Sequence, residues 1–139
     1  MEEAAFKLDT YKFTKVSLNL DIQPNATLVI EFYPSGCFSQ ETGVYELNFD
    51  TIVTCEETNT KVVCISCVAK FSFKDAIKGE DIPEHFYPNS LAIIFPYIRA
   101  FVSTVSLQAN VRPIILPTVN LMGLTNELRQ KTKVINNTK

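Results

Sequence analysis

Residues 86–120 read FYPNSLAIIFPYIRAFVSTVSLQANVRPIILPTVN. Asn89 or Ser90 is placed to cap a helix over about 89–110. Between Phe86 and Val111 the only charge is Arg99. Arg99, Ser103, Ser106 and Asn110 recur at spacings of four, three and four, which makes one narrow polar stripe. Around the rest of the circumference stand Leu91, Ile94, Phe95, Tyr97, Ile98, Phe101, Val102, Val105 and Leu107. A helix with so little polar surface requires cover on most sides. One small sheet covers one side, so the remainder calls for a second subunit, a ligand or both. Pro96 removes a backbone donor near the helix start and predicts a kink there. Pro113 and Pro117 then bracket Ile114, Ile115 and Leu116, so this segment is an extended linker. Its alternation points at least one of the three away from the core. Asn120 caps a shorter helix over about 120–131, with Leu121, Leu124 and Leu128 on one face. The polar tail 132–139 is expected to be disordered.

Upstream the period changes from helical to two. Val16, Leu18, Leu20 and Ile22 alternate with Ser17, Asn19 and Asp21, whereas Tyr11 and Phe13 are apolar on odd numbers. A bulge near Thr14-Lys15 reconciles the two phases. Leu28, Ile30 and Phe32 mark a second strand after the turn at Pro24-Asn25. Tyr45, Leu47, Phe49 and Val53 mark a third. After the polar turn Glu56–Thr60, Val63, Ile65, Cys67, Ala69, Phe71 and Phe73 share one face of a fourth. Four such strands within about residues 6–75, joined by short turns, predict an antiparallel sheet with one covered face.

The chain has 139 residues, which fits one domain spanning 1–139. With 46% hydrophobic and 20% charged residues it can form a core without disulfides or metal. The net charge of −2 argues against a nucleic-acid binder held by phosphate neutralisation. Met1-Glu2-Glu3 stands where a secretory signal would be basic, and the apolar uncharged run Phe86–Ile98 has 13 residues. A soluble cytoplasmic protein without membrane insertion is therefore expected. Charge is split along the chain: residues 1–85 carry 14 acids and 7 bases, residues 86–139 one acid and 6 bases.

Phe95-Pro96-Tyr97-Ile98-Arg99, followed 21 residues later by Asn120 within Leu116-Pro117-Thr118-Val119-Asn120, resembles the SecB export-chaperone family. That family carries a Phe-Pro-Tyr-x-Arg helix, then a Leu-x-Pro-Val-Asn-like linker and a last helix. Tyr87-Pro88-Asn89 resembles the family's approach to the long helix. The resemblance implies a two-layer α+β subunit, with a four-stranded antiparallel sheet followed by a long and a short helix. It implies a homotetramer, a dimer of dimers with the long helices at the centre. Leu91, Ile94, Phe95, Ile98, Arg99, Phe101, Val102 and Val105 are then the interface candidates. It also implies an ATP-independent holdase for non-native polypeptides, with no cofactor and no enzymatic activity. Phe86, Tyr87, Ile114, Ile115, Leu116, Val119, Leu121 and Leu124 are the client-binding candidates.

Some family features are missing. The family docks the export ATPase through acids on the sheet and a Cys/His zinc-binding tail. Here Val16–Leu20 and Val63–Ser66 supply no clear acid, and residues 131–139 hold no Cys or His. The connection Gln23–Ala26 is shorter than the family's crossover loop. A SecB-like chaperone serving a toxin–antitoxin system is the alternative, and a binder of small hydrophobic ligands is another. Cys64-Ile65-Ser66-Cys67 matches CxxC, but residues three apart on a strand face opposite ways, so no shared metal is expected. His85 is the only histidine and has no paired nucleophile motif.

Overall fold

The structure is a computed structural model that describes residues 5–75, 77–117 and 122–135. Four long strands come first: β1 Phe6–Leu18, β2 Leu28–Ser39, β3 Val44–Cys55 and β4 Thr60–Phe73. A single 3-10 turn at Gly79–Asp81 leads to the helix α1, Phe86–Gln108. A second helix, α2, spans Met122–Gln130, and a short strand, β5, spans Thr132–Ile135. The sheet order is β1-β4-β3-β2-β5, antiparallel except for β5, which runs parallel to β2.

Alternation builds the two faces. In β3 every odd residue from Tyr45 to Cys55 is buried and every even one is half-buried. Phe71, Ala69, Cys67 and Ile65 of β4 share that inner face with Phe13 and Phe32. The register of β1 against β4 slips between Leu8 and Thr10 and again between Phe13 and Lys15. The second slip is the bulge required by the phase switch. Together the two keep Leu8, Tyr11, Phe13, Val16 and Leu18 on the helix side. Cys67 lies in the core, where burial pushes its thiol up to about 11, whereas Cys64 sits half-buried on the other face.

Three expectations change. The long helix begins at Phe86, one turn before the expected cap. Pro88 occupies its first turn, where backbone N–H groups have no intrahelical partner and a proline is tolerated. Residues 132–135, placed in a disordered tail, form the fifth strand. Their backbone pairs with Gly36–Ser39, a partner far away in sequence that a local reading does not reveal. Thirdly, α1 has 23 residues, and an 18-residue window within it reaches a mean hydropathy of 1.6, enough by length and composition to cross a membrane. The exclusion drawn from the shorter uncharged run is not general. One face of α1 is nevertheless occupied, since Leu91, Ile94, Ile98 and Val102 are fully buried in the core shared with the sheet.

Candidate functional site

The end of α1 sets the path of the linker. Asn110 adopts a left-handed backbone, φ 62°, and the N–H groups of Asn110 and Val111 reach back to the carbonyls of Leu107 and Ser106 at 3.0 and 3.3 Å. This is a Schellman turn with asparagine in place of the usual glycine. The linker is then held against the helix by its polar stripe. Ser106 Oγ accepts the Ile114 N–H at 2.8 Å, and Ser103 Oγ donates to the Ile114 carbonyl at 3.1 Å. Ser106 also donates to the Val102 carbonyl at 2.9 Å. Both backbone groups of one linker residue are thereby fixed. With the backbone pinned there, Ile114 and Leu116 turn inward, at 7% and 0% exposure, and Ile115 turns out at 65%. Ser106→Ala leaves the buried Ile114 N–H without its acceptor and is expected to cost about 1–3 kcal/mol. Chemical denaturation of the variant against the wild type measures this.

Between the linker and α1 lies an open groove of about 510 Å³. Phe95, Pro96, Ala100 and Leu107 supply apolar walls on the helix side, and Pro113 and Ile115 on the linker side. Arg99, Ser103 and Thr104 provide the polar side-chain atoms along it. On the other flank of α1, Tyr97 stacks on Tyr11 of β1 at 4.5 Å and Phe101 on Phe13 at 4.1 Å. Ile93, Tyr97, Tyr11, Val16 and Leu18 remain exposed there, beside the outer edge of β1.

The client-binding candidates divide accordingly. Ile115 is exposed and Leu124 half-buried. Ile114 and Leu116 point inward. Phe86 is fully buried among Phe6, Tyr45 and Phe73, so it has no surface to offer; its place in the candidate set is corrected to the core. Tyr87 is 7% exposed, under the guanidinium of Arg129 at 5.5 Å. Arg129 also bonds Glu84 at 2.7 Å, fastening α2 to the segment before α1. Val119 and Leu121 lie outside the described residues.

The interface candidates need a similar correction. Leu91, Ile94, Ile98 and Val102 belong to the subunit's own core, because a helix that is apolar all round does not reveal which side meets the sheet. Phe95 packs edge-on against Phe32 at 5.6 Å, while Phe101 and Val105 are half-buried. Arg99 is exposed and has no ion pair among the described residues. The exposed apolar residues of α1 and β1 outside the candidate set are Ile93, Tyr97 and Leu107, with Tyr11, Val16 and Leu18.

No family model matches the chain. Over 42 residues it is 45% identical to an uncharacterised protein of Methanocaldococcus jannaschii, but the match spans only 27% of that relative's length. It is 26% identical over 119 residues to the protein-export protein SecB of Magnetococcus marinus, covering 78% of this chain and 76% of the relative. Its fold matches a SecB-like chaperone of Mycobacterium tuberculosis, solved with a ChAD peptide from the HigA1 antitoxin. There the TM-score is 0.68 at 14% identity, covering 84% of this chain and 88% of the other. The SecB-like resemblance and the α+β fold class are borne out.

Proposed function

We propose that this SecB-like chain is an ATP-independent chaperone that holds unfolded or non-native polypeptides in the groove between α1 and the linker. The exposed Ile115 carries the reading. It stands out between two inward residues because Ser103 and Ser106 clamp the backbone beside it. An isoleucine side chain fixed in water beside an open apolar groove suits burial under a partner chain. Such burial contributes about 1.5–3 kcal/mol per aliphatic side chain. Binding fits the groove better than chemistry, since Arg99 is its only charged group among the described residues and no acid or base converges on it.

The assembly belongs to the same proposal: a cytoplasmic homotetramer in which α1 and β1 meet other copies. Support comes from the exposed Ile93, Tyr97, Val16 and Leu18, and from a 13-residue edge strand without a neighbour on its outer side among the described residues. A setting outside export is favoured by the outer face of β1 and β4. The register puts Lys7, Lys12, Lys15 and Lys70 there with Asp9, and Val16–Leu20 and Val63–Ser66, where the resemblance would put acids for the export ATPase, hold none. A role beside a toxin–antitoxin pair remains the second reading, supported by the antitoxin peptide on the chaperone of similar fold.

The test dilutes a chemically unfolded reporter protein into buffer without nucleotide and follows light scattering. Wild type is expected to suppress aggregation. Ile115→Ser is expected to weaken client binding by about 10- to 100-fold while leaving the melting transition in place. Sedimentation first establishes that both proteins share one assembled state. A monomeric wild type would remove the assembly from the reading, and a wild type that gives no protection would remove the chaperone.

A further inference from the structure

We infer that the outer face of the sheet is a second self-association surface, on which another copy of this chain stacks face to face. The side chains that point away from α1 are split by charge across the strands. Lys7, Lys12 and Lys15 of β1 and Lys70 of β4 occupy one half, offset only by Asp9. Glu46 and Asp50 of β3 and Glu31 of β2 occupy the other. Neither these lysines nor these three carboxylates are in an ion pair among the described residues. The β1 lysines stand two to three strand spacings from those acids, roughly 10–15 Å, so one subunit does not neutralise its own face.

Symmetry and register decide how the second copy sits. A twofold axis across the strands would lay each strand on its own counterpart and set lysine against lysine. An axis along the strands, between β3 and β4, lays β4 on the β3 of the second copy and β1 on its β2. The register then brings Lys70 over Glu46 of the second copy, Lys15 between its Glu31 and Asp50, and Cys64 over its Ile52, each pairing occurring twice. Lys133, opposite Cys37 on β5, falls outside this overlap. Four strands of about 12 residues present about 700–800 Å² per copy, close to the roughly 800 Å² that each partner buries in a stable complex. A foreign partner would need the same split of charge at the same spacing, and this chain carries both halves. The stacking leaves α1, the linker groove and the β1 edge free, so it adds to the assembly proposed above.

The experiment compares sedimentation of the full chain at about 20 mM salt and at about 300 mM, where the screening length shortens to about 6 Å. Wild type is expected to show twice the mass at low salt that it shows at high salt. Lys12→Glu/Lys15→Glu/Lys70→Glu makes the face acidic overall, and Glu31→Lys/Glu46→Lys/Asp50→Lys makes it basic. Each variant alone should keep the undoubled mass at low salt, and an equal mixture of the two should double. Circular dichroism melts establish that both are folded. Lys70→Glu alone, at an exposed position, is a milder change that should weaken the stacking about tenfold. One wild-type mass at both salts overturns the inference. A doubling that survives in both triple variants overturns it too, because the contact then lies on another surface.

Discussion

Phe86→Ala is expected to lower the free energy of unfolding by about 3–5 kcal/mol, the range for emptying a buried aromatic site. The ring has no exposed surface and sits at the junction of both layers. Its centroid lies 4.6 Å from Tyr45, 4.8 Å from Phe6, 5.0 Å from Phe73 and 5.5 Å from Phe71, so three strands converge on one side chain. These neighbours are themselves large rings held by β1, β3 and β4, and cannot all close on the space left by alanine. Urea unfolding should show the midpoint falling with the slope unchanged. A loss below about 1 kcal/mol would mean that the cavity collapses or that the ring is not in the core. Either result would reopen a client-contact role for Phe86.

That residue shows where local reading stops. The strands were legible because each has one covered face, and alternation reports a single side directly. Even the bulge at Thr14 could be read, as a change of phase between Phe13 and Val16. The sides of α1 could not. Leu91, Ile94 and Ile98 differ from Ile93 and Tyr97 only in which way they face the sheet, and both sets are apolar. The polar stripe was visible in the sequence, but its work was not. Ser103 and Ser106 became a clamp because Asn110 turns the chain back on the helix, which brings Ile114 to them. Pro113 and Pro117 marked the linker as extended, and extension implied the outward residue. Only the structure identifies that residue as Ile115.

The C-terminal strand was missed for a different reason, and it is the subject of the second large effect. Gly36→Ala is expected to cost about 2–4 kcal/mol, combining overpacking with the loss of a buried hydrogen bond. A methyl group at Gly36 would fall on the phenol of Tyr45. That phenol crosses the backbone there to reach Thr132, with Tyr45 Oη 2.6 Å from Thr132 Oγ1. Thr132 donates in turn to the Leu128 carbonyl at 2.7 Å, so Tyr45 is the donor to Thr132. Burial raises the Tyr45 pKa, which keeps this hydroxyl protonated and able to donate. Thr132 begins β5 and its acceptor lies in α2, so this one chain of bonds fastens both elements to the sheet. Alanine would push the phenol aside and weaken the pairing of Gly36 N–H with the Lys131 carbonyl, now 3.2 Å. Amide exchange in Lys133–Ile135 should then quicken well beyond the global change. Tyr45→Phe provides the control, since it removes the hydroxyl without crowding and should cost only about 1 kcal/mol. If Gly36→Ala keeps its stability and its β5 protection, the phenol does not need that space, and the strand is held by its backbone pairing alone.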